Sequence, residues 1–195
     1  MAGASNPSIS TKIQHVDGGD SLVVKTGGIL NVEAGGKFEI AGVDLAASLA
    51  AKANDAARYV AAGATKALTP ANNNQTVKLD TAAGSAVTLP AATGSGCRFK
   101  FLVTLLATSA AHIISAAGAD VMIGAISGAR IDSGNAVLGF AAQSTSNTIT
   151  LNRTTTGSVS LGEYVEVEDV AAGIWEVTGF LTATGAAFAT PFSHV

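Results

Sequence analysis

The sequence predicts an all-β architecture: a short N-terminal β-repeat, one helix, and a C-terminal β-sandwich or jelly-roll domain. Three observations carry this. Residues 19–42 repeat with a period of eight, placing Leu22, Leu30 and Phe38 at one phase and Val24, Val32 and Ile40 two residues later. Residues 43–62 switch to helical spacing. From residue 63 on, short alternating runs are separated by Gly, Ser, Asn and Ala turns, the pattern of a sandwich or jelly roll.

Residues 1–18 are small, polar and turn-rich, with Asn6-Pro7 and Gly18-Gly19, and read as an N-terminal arm. Each unit of the 19–42 octad has an apolar-x-apolar core, closed by Gly27 and Gly35 in the first two units. That is a short strand and a tight turn. Three units make about one coil of a solenoid, whereas roughly three stacked repeats are needed to enclose a continuous core. A lone coil has no layer above or below its apolar edge. Pairing with copies of itself is the simplest remedy, so the octad is read as the trimerisation segment of an intertwined homotrimer. Its interface residues are Leu22, Val24, Leu30, Val32, Phe38 and Ile40, continued by Leu45 and Leu49.

In 43–62, VDLAASLAAKANDAARYVAA, Asp44 stands as an N-cap. Leu45, Leu49, Ala53, Ala56 and Val60 share one helical face, and Gly63 is a stop. The narrow, alanine-rich stripe suits a three-helix neck about 27 Å long; the alternative is a single helix lying across a sheet. The body, 63–195, offers strands at 75–79, 86–89, 98–103, 112–114, 120–123, 137–140, 148–151, 163–168 and 174–180. Its tail carries Phe188 and Phe192, whose rings are expected to tuck onto the body or a neighbouring subunit.

Composition excludes several classes. Charged residues are 13% of the chain, against about 25% in ordinary domains, so an assembly is expected to cover surface. The net charge of −3 provides no basic footprint for nucleic acid. The uncharged run between Lys100 and Asp120 is broken by Thr104, Thr108, Ser109, His112 and Ser115 and does not read as a membrane span. The N-terminus has no basic region followed by an apolar core, so no secretory leader is expected.

No catalytic, cofactor or metal constellation emerges. His15, His112 and His194 share no ligand spacing, and the single cysteine, Cys97, has no base beside it in sequence. The densest acidic cluster is Glu163, Glu166, Glu168 and Asp169. Glycoside cleavage uses two carboxylates about 5 to 9.5 Å apart. Glu166 and Glu168, however, alternate with Val165 and Val167 and read as the solvent face of a strand.

The stretch 75–103, QTVKLDTAAGSAVTLPAATGSGCRFKFLV, together with VEVEDVAAGIWEVTGF at 165–180, resembles a module of tailed-bacteriophage structural proteins. Similar β-domains occur in capsid decoration (cement) proteins, head fibres and tail fibres, and the octad resembles the intertwined β-structures at fibre bases. The resemblance implies a homotrimer on the outer capsid surface of a virion, made in the host cytoplasm, with the major capsid protein as partner and no catalytic residues. The implied function is a decoration trimer that bridges and stabilises capsomers. The alternative is a fibre tip binding a host receptor or host-surface glycan, with Trp175 and Tyr164 as candidate contacts. A polysaccharide-degrading enzyme using Glu166 or Glu168 is the remaining rival.

Overall fold

Strand dominates the computed structural model, whose described residues are 13–15, 22–24, 26–27, 29, 39–40, 43–45, 58–132, 137–184 and 188–195. The chain divides into two compact units, Met1–Ala50 and Ala51–Val195.

In the first unit, β1 (Ile13–His15) pairs antiparallel with β2 (Leu22–Val24), Ile13 opposite Val24. The stretch read as an irregular arm therefore supplies a strand, because Ile13 and the following residues can satisfy their backbone groups against the first octad. A second ladder joins β3 (Glu39–Ile40) to β4 (Val43–Asp44). Leu45, directly after β4, is helical. Residues 46–57, the middle of the expected neck, lie outside the described residues.

The second unit opens with a correction. Tyr59–Ala61, read as the end of the helix, is a strand (β5) that pairs in parallel with β7 (Thr76–Leu79). An aromatic and a β-branched residue in succession favour extended backbone, and the Thr76–Leu79 strand offers the ladder. Gly63 then makes a turn into β6 (Thr65–Ala67) at φ 59°, its N–H donating to Asp80 Oδ1 at 2.9 Å.

Two mixed sheets form this unit. The larger has seven strands in the order β12 (Val137–Ala141), β11 (Val121–Arg130), β15 (Ile174–Ala183), β14 (Tyr164–Ala171), β9 (Arg98–Val103), β7, β5. The smaller has five, ordered β16 (Phe192–Ser193), β13 (Thr148–Leu151), β10 (His112–Ser115), β8 (Ala86–Thr88), β6. Pairings β11–β15, β7–β9, β5–β7, β8–β10 and β6–β8 are parallel; β9–β14, β14–β15, β11–β12, β10–β13 and β13–β16 are antiparallel.

One hydrophobic core draws on both sheets. Phe99, Phe101, Met122, Ile126, Trp175 and Leu181 come from the larger, and Val87, Ile114, Ile149 and Leu151 from the smaller. All are buried, as strict alternation along β9, β14 and β15 requires. Phe99 and Trp175 meet with ring centroids 5.8 Å apart. Each large apolar side chain so placed contributes about 1.5–3 kcal/mol. The tail rings do tuck onto the body: Phe188 stacks on Phe140 at 5.1 Å, and Phe192 enters the smaller sheet. Gly128 leaves room for Phe188, whose ring occupies the place of a Cβ there.

Strand β11 runs through Gly124, where φ is 103° and a Cβ would meet the Val177 carbonyl of β15. Gly139, on edge strand β12, has open space around its Cβ position. We expect Gly124→Ala to lower stability by about 1–3 kcal/mol or more, and Gly139→Ala to stay within about 0.5 kcal/mol of the parent. Urea denaturation midpoints of the two variants check this.

Candidate functional site

The residues that the sequence marks for chemistry separate by parity on one strand. Glu163, Val165, Val167 and Asp169 share the inward phase of β14 and its lead-in, whereas Glu166 and Glu168 share the outward phase. The acidic cluster is therefore two buried carboxylates and two surface ones.

Asp169, 2% exposed, is a clasp. Its carboxylate accepts the N–H groups of Thr93, Gly94 and Ser95 at 2.7–3.0 Å and the Ser95 hydroxyl at 2.7 Å. Burial opposes the charge, yet the converging donors hold this carboxyl well below the usual carboxylate range. Gly96 N–H donates to the Asp169 carbonyl, and Asp169 N–H to the Cys97 carbonyl. The clasp therefore ties the TLPAATGSG turn to the VEVEDVAAG strand. Asp120 Oδ2 adds a bond from Ala92 N–H at 2.7 Å.

Glu163 does the same at the other end of β14. Its carboxylate accepts the N–H groups of Ser158, Val159 and Ser160 and the Thr182 hydroxyl, at 2.5–2.7 Å. His112 is fully buried. Its Nδ1 accepts Ser85 N–H at 3.0 Å, which leaves the proton on Nε2 to donate to the Leu105 carbonyl at 3.0 Å. Burial lowers its pKa. Cys97 is free and buried. Among the described residues no group of three His, Cys, Asp or Glu side chains is arranged to hold a metal ion, and no helix is long and apolar enough to cross a membrane.

The outward phase of the seven-stranded sheet is the candidate interaction face. Its β9–β14 part is charged: Lys100 pairs with Glu166 at 3.0 Å, and Arg98 pairs with Glu168. Both pairs are open to solvent, which screens them and leaves them little weight in stability. Lys100 Nζ also lies 4.5 Å from the Tyr164 ring centroid. Its β11–β12 part carries no ionisable residue from Val121 to Ala129 or from Val137 to Ala141. Exposed Ile123, Val137 and Phe180 stand there among Ala125, Ser127, Gly139 and Ala141.

Of the expected trimer-interface residues, Leu22 and Val24 lie on β2, Ile40 on β3 and Leu45 just past β4. Leu30, Val32, Phe38 and Leu49 lie outside the described residues. Trp175, a candidate surface contact, is completely buried, and Tyr164 sits beneath Lys100. The clasps were missed as a pair, although the inward phase of Glu163 and Asp169 was readable beside Val165 and Val167.

Asp169→Ala should cost about 1–3 kcal/mol, since it removes a charged acceptor on which several turn donors converge; calorimetric unfolding measures it. Acid should destabilise in two windows. The folded state keeps His112 neutral while the unfolded chain protonates near its ordinary value of about 6.5, so stability falls as pH drops through that value. The Asp169 contribution is complete above about pH 4 and is lost as pH falls further, towards its depressed folded value. His112→Gln should reduce the loss of unfolding free energy that sets in as pH falls below about 6.5, and leave the Asp169 window intact. Comparison with known proteins finds no matching family model, no matching curated protein and no matching solved structure.

Proposed function

We propose that this chain is a capsid decoration (cement) protein of a tailed bacteriophage, acting as a homotrimer on the outer shell. In this reading the two sheets of the second unit face each other as a sandwich rather than a jelly roll, since half of the strand pairings named above are parallel. The observation that carries the proposal is the Asp169 clasp. The two motifs that resemble phage structural modules are hydrogen-bonded into one element, and two acids of the cluster, Asp169 and Glu163, are spent on holding that element and its neighbours. What remains outward is a broad sheet face, ion-paired over β9 and β14 and uncharged over β11 and β12, with Glu176 of β15 between them.

Such a protein works mechanically. Each subunit makes weak contacts with the major capsid protein, and three joined subunits multiply them through effective concentration. Bridging neighbouring capsomers then opposes the outward pressure of packaged DNA. The alternative, a fibre tip that grips a host receptor through Trp175 and Tyr164, is disfavoured by the burial of the first and the covering of the second.

Sedimentation equilibrium of the full chain should return three times the chain mass, and Leu30→Asp should reduce it by placing a charge where three chains converge. Cryo-electron microscopy of particles carrying the protein should place trimers at local three-fold positions of the shell. A monomer at micromolar concentration, or density confined to the tail, sinks the proposal.

A further inference from the structure

Each sheet of the second unit ends in two edge strands, and only one of the four is left unprotected among the described residues. Edge β5 is three residues long and follows Arg58. Edge β6 is three residues long and carries Lys66. Edge β16 is two residues long and follows Pro191. Shortness, cations and proline are the devices by which native sheets keep strangers off their edges. The fourth edge, β12, has none of them. Its sequence, VLGFA, is five residues long and holds no charge and no proline. Val137 and Leu138 are exposed on it.

The ladder fixes where its backbone groups point. Ala142 N–H donates to the Gly124 carbonyl, in the register that sets Ala141 opposite Ala125. Leu138 and Phe140 share that parity and bond to β11. Val137, Gly139 and Ala141 therefore turn their N–H and C=O groups to the open side. The same alternation holds along β11: Val121 N–H donates to the Gly173 carbonyl on the β15 side, and Met122 N–H to the Ser146 carbonyl on the other.

A row of this kind is matched by another strand, and a second β12 fits it. Set antiparallel with Gly139 opposite Gly139, Val137 lies opposite Ala141 and Leu138 opposite Phe140. About six backbone hydrogen bonds then close, and no charge is buried. Pairing β12 with β5 or β6 of another copy brings Arg58 or Lys66 against a strand that has no carboxylate to meet it.

We propose that β12 is a self-pairing edge, which joins two copies of this chain about a two-fold axis at Gly139 and fuses their seven-stranded sheets into one. The strand is about 17 Å long, so the contact buries well under the total of about 1,200 Å² typical of stable complexes. It is weak between free copies and forms where copies are crowded side by side. In the decoration role, on which this last step rests, it links neighbouring trimers, since two-fold axes relate the three-fold positions of a closed shell.

The test is sedimentation velocity on the full chain, with concentration raised to about 0.5 mM, where weak contacts populate. The smallest species should give way to one of twice its mass. Gly139→Lys and Gly139→Glu each set like charges opposite one another at the axis, and each should weaken the doubling about fivefold. An equimolar mixture of the two variants should recover it, since Lys then faces Glu. Gly139→Pro removes the N–H at the axis and should weaken it as well. The Cβ position at Gly139 meets open space, so circular dichroism of the Lys and Glu variants should match the parent. Absence of a doubled mass leaves β12 to a strand of some other protein and overturns the proposal. So does doubling that is indifferent to all three folded variants, or a mixture that associates no better than either variant alone. A monomer that doubles to a dimer upholds this contact and sinks the trimer; a trimer that does not double does the reverse.

Discussion

A single carboxylate governs how the second unit closes. Asp169 sits at the end of β14, on the inward side, and gathers the N–H groups of three successive residues in the turn before β9. Without it those donors lose the acceptor on which they converge, and the turn loses what fixes its geometry. With it, the turn enters β9 in the register that places Phe99 and Phe101 inward, against Trp175 and the smaller sheet. The core, the ladder from β9 to β15 and the surface ion pairs all follow from that register. Glu163 repeats the device at the opposite end of the same strand, so β14 is anchored twice, each time by an acid facing into the protein.

This use of acids explains a chain with so few charges. An inward carboxylate satisfied by several backbone donors does the work of a longer polar loop, and it does so in a fixed direction. Buried His112 plays the neutral counterpart, bridging the Ser85 amide and the Leu105 carbonyl across the smaller sheet. Polar groups are placed inside where they organise turns, and the outer face over β11 and β12 is left to small and apolar residues.

Much of the body was legible from local pattern. Each strand from 75 to 180 expected from alternation is present, because period-two burial and turn residues are properties of a few neighbours in sequence. What failed was decided at long range. Tyr59–Ala61 continued a helical spacing well enough to be read as helix, and became strand only because Thr76–Leu79 lay ready to pair with it. Ile13–His15 became strand for the same reason, opposite the first octad. Strand β11 runs on through Gly124, Ser127 and Gly128, where no alternation signals it, since ten residues of β15 supply the ladder. The split of the acidic cluster was legible by parity.

The position of β15 has a consequence for how the chain reaches this state. It lies inside the larger sheet, between β11 and β14, yet is the last of that sheet's strands to be synthesised. Until it arrives, the β11–β12 hairpin presents an uncharged, unpaired edge, and Trp175 has not reached the core. Assembly of this sheet must therefore wait until Ala183 has been made, with its closing contacts spanning large sequence separations. During that interval the nascent chain is most vulnerable to pairing with a stranger. A fold arranged in this order matures late and gains from quick synthesis and chaperone shelter.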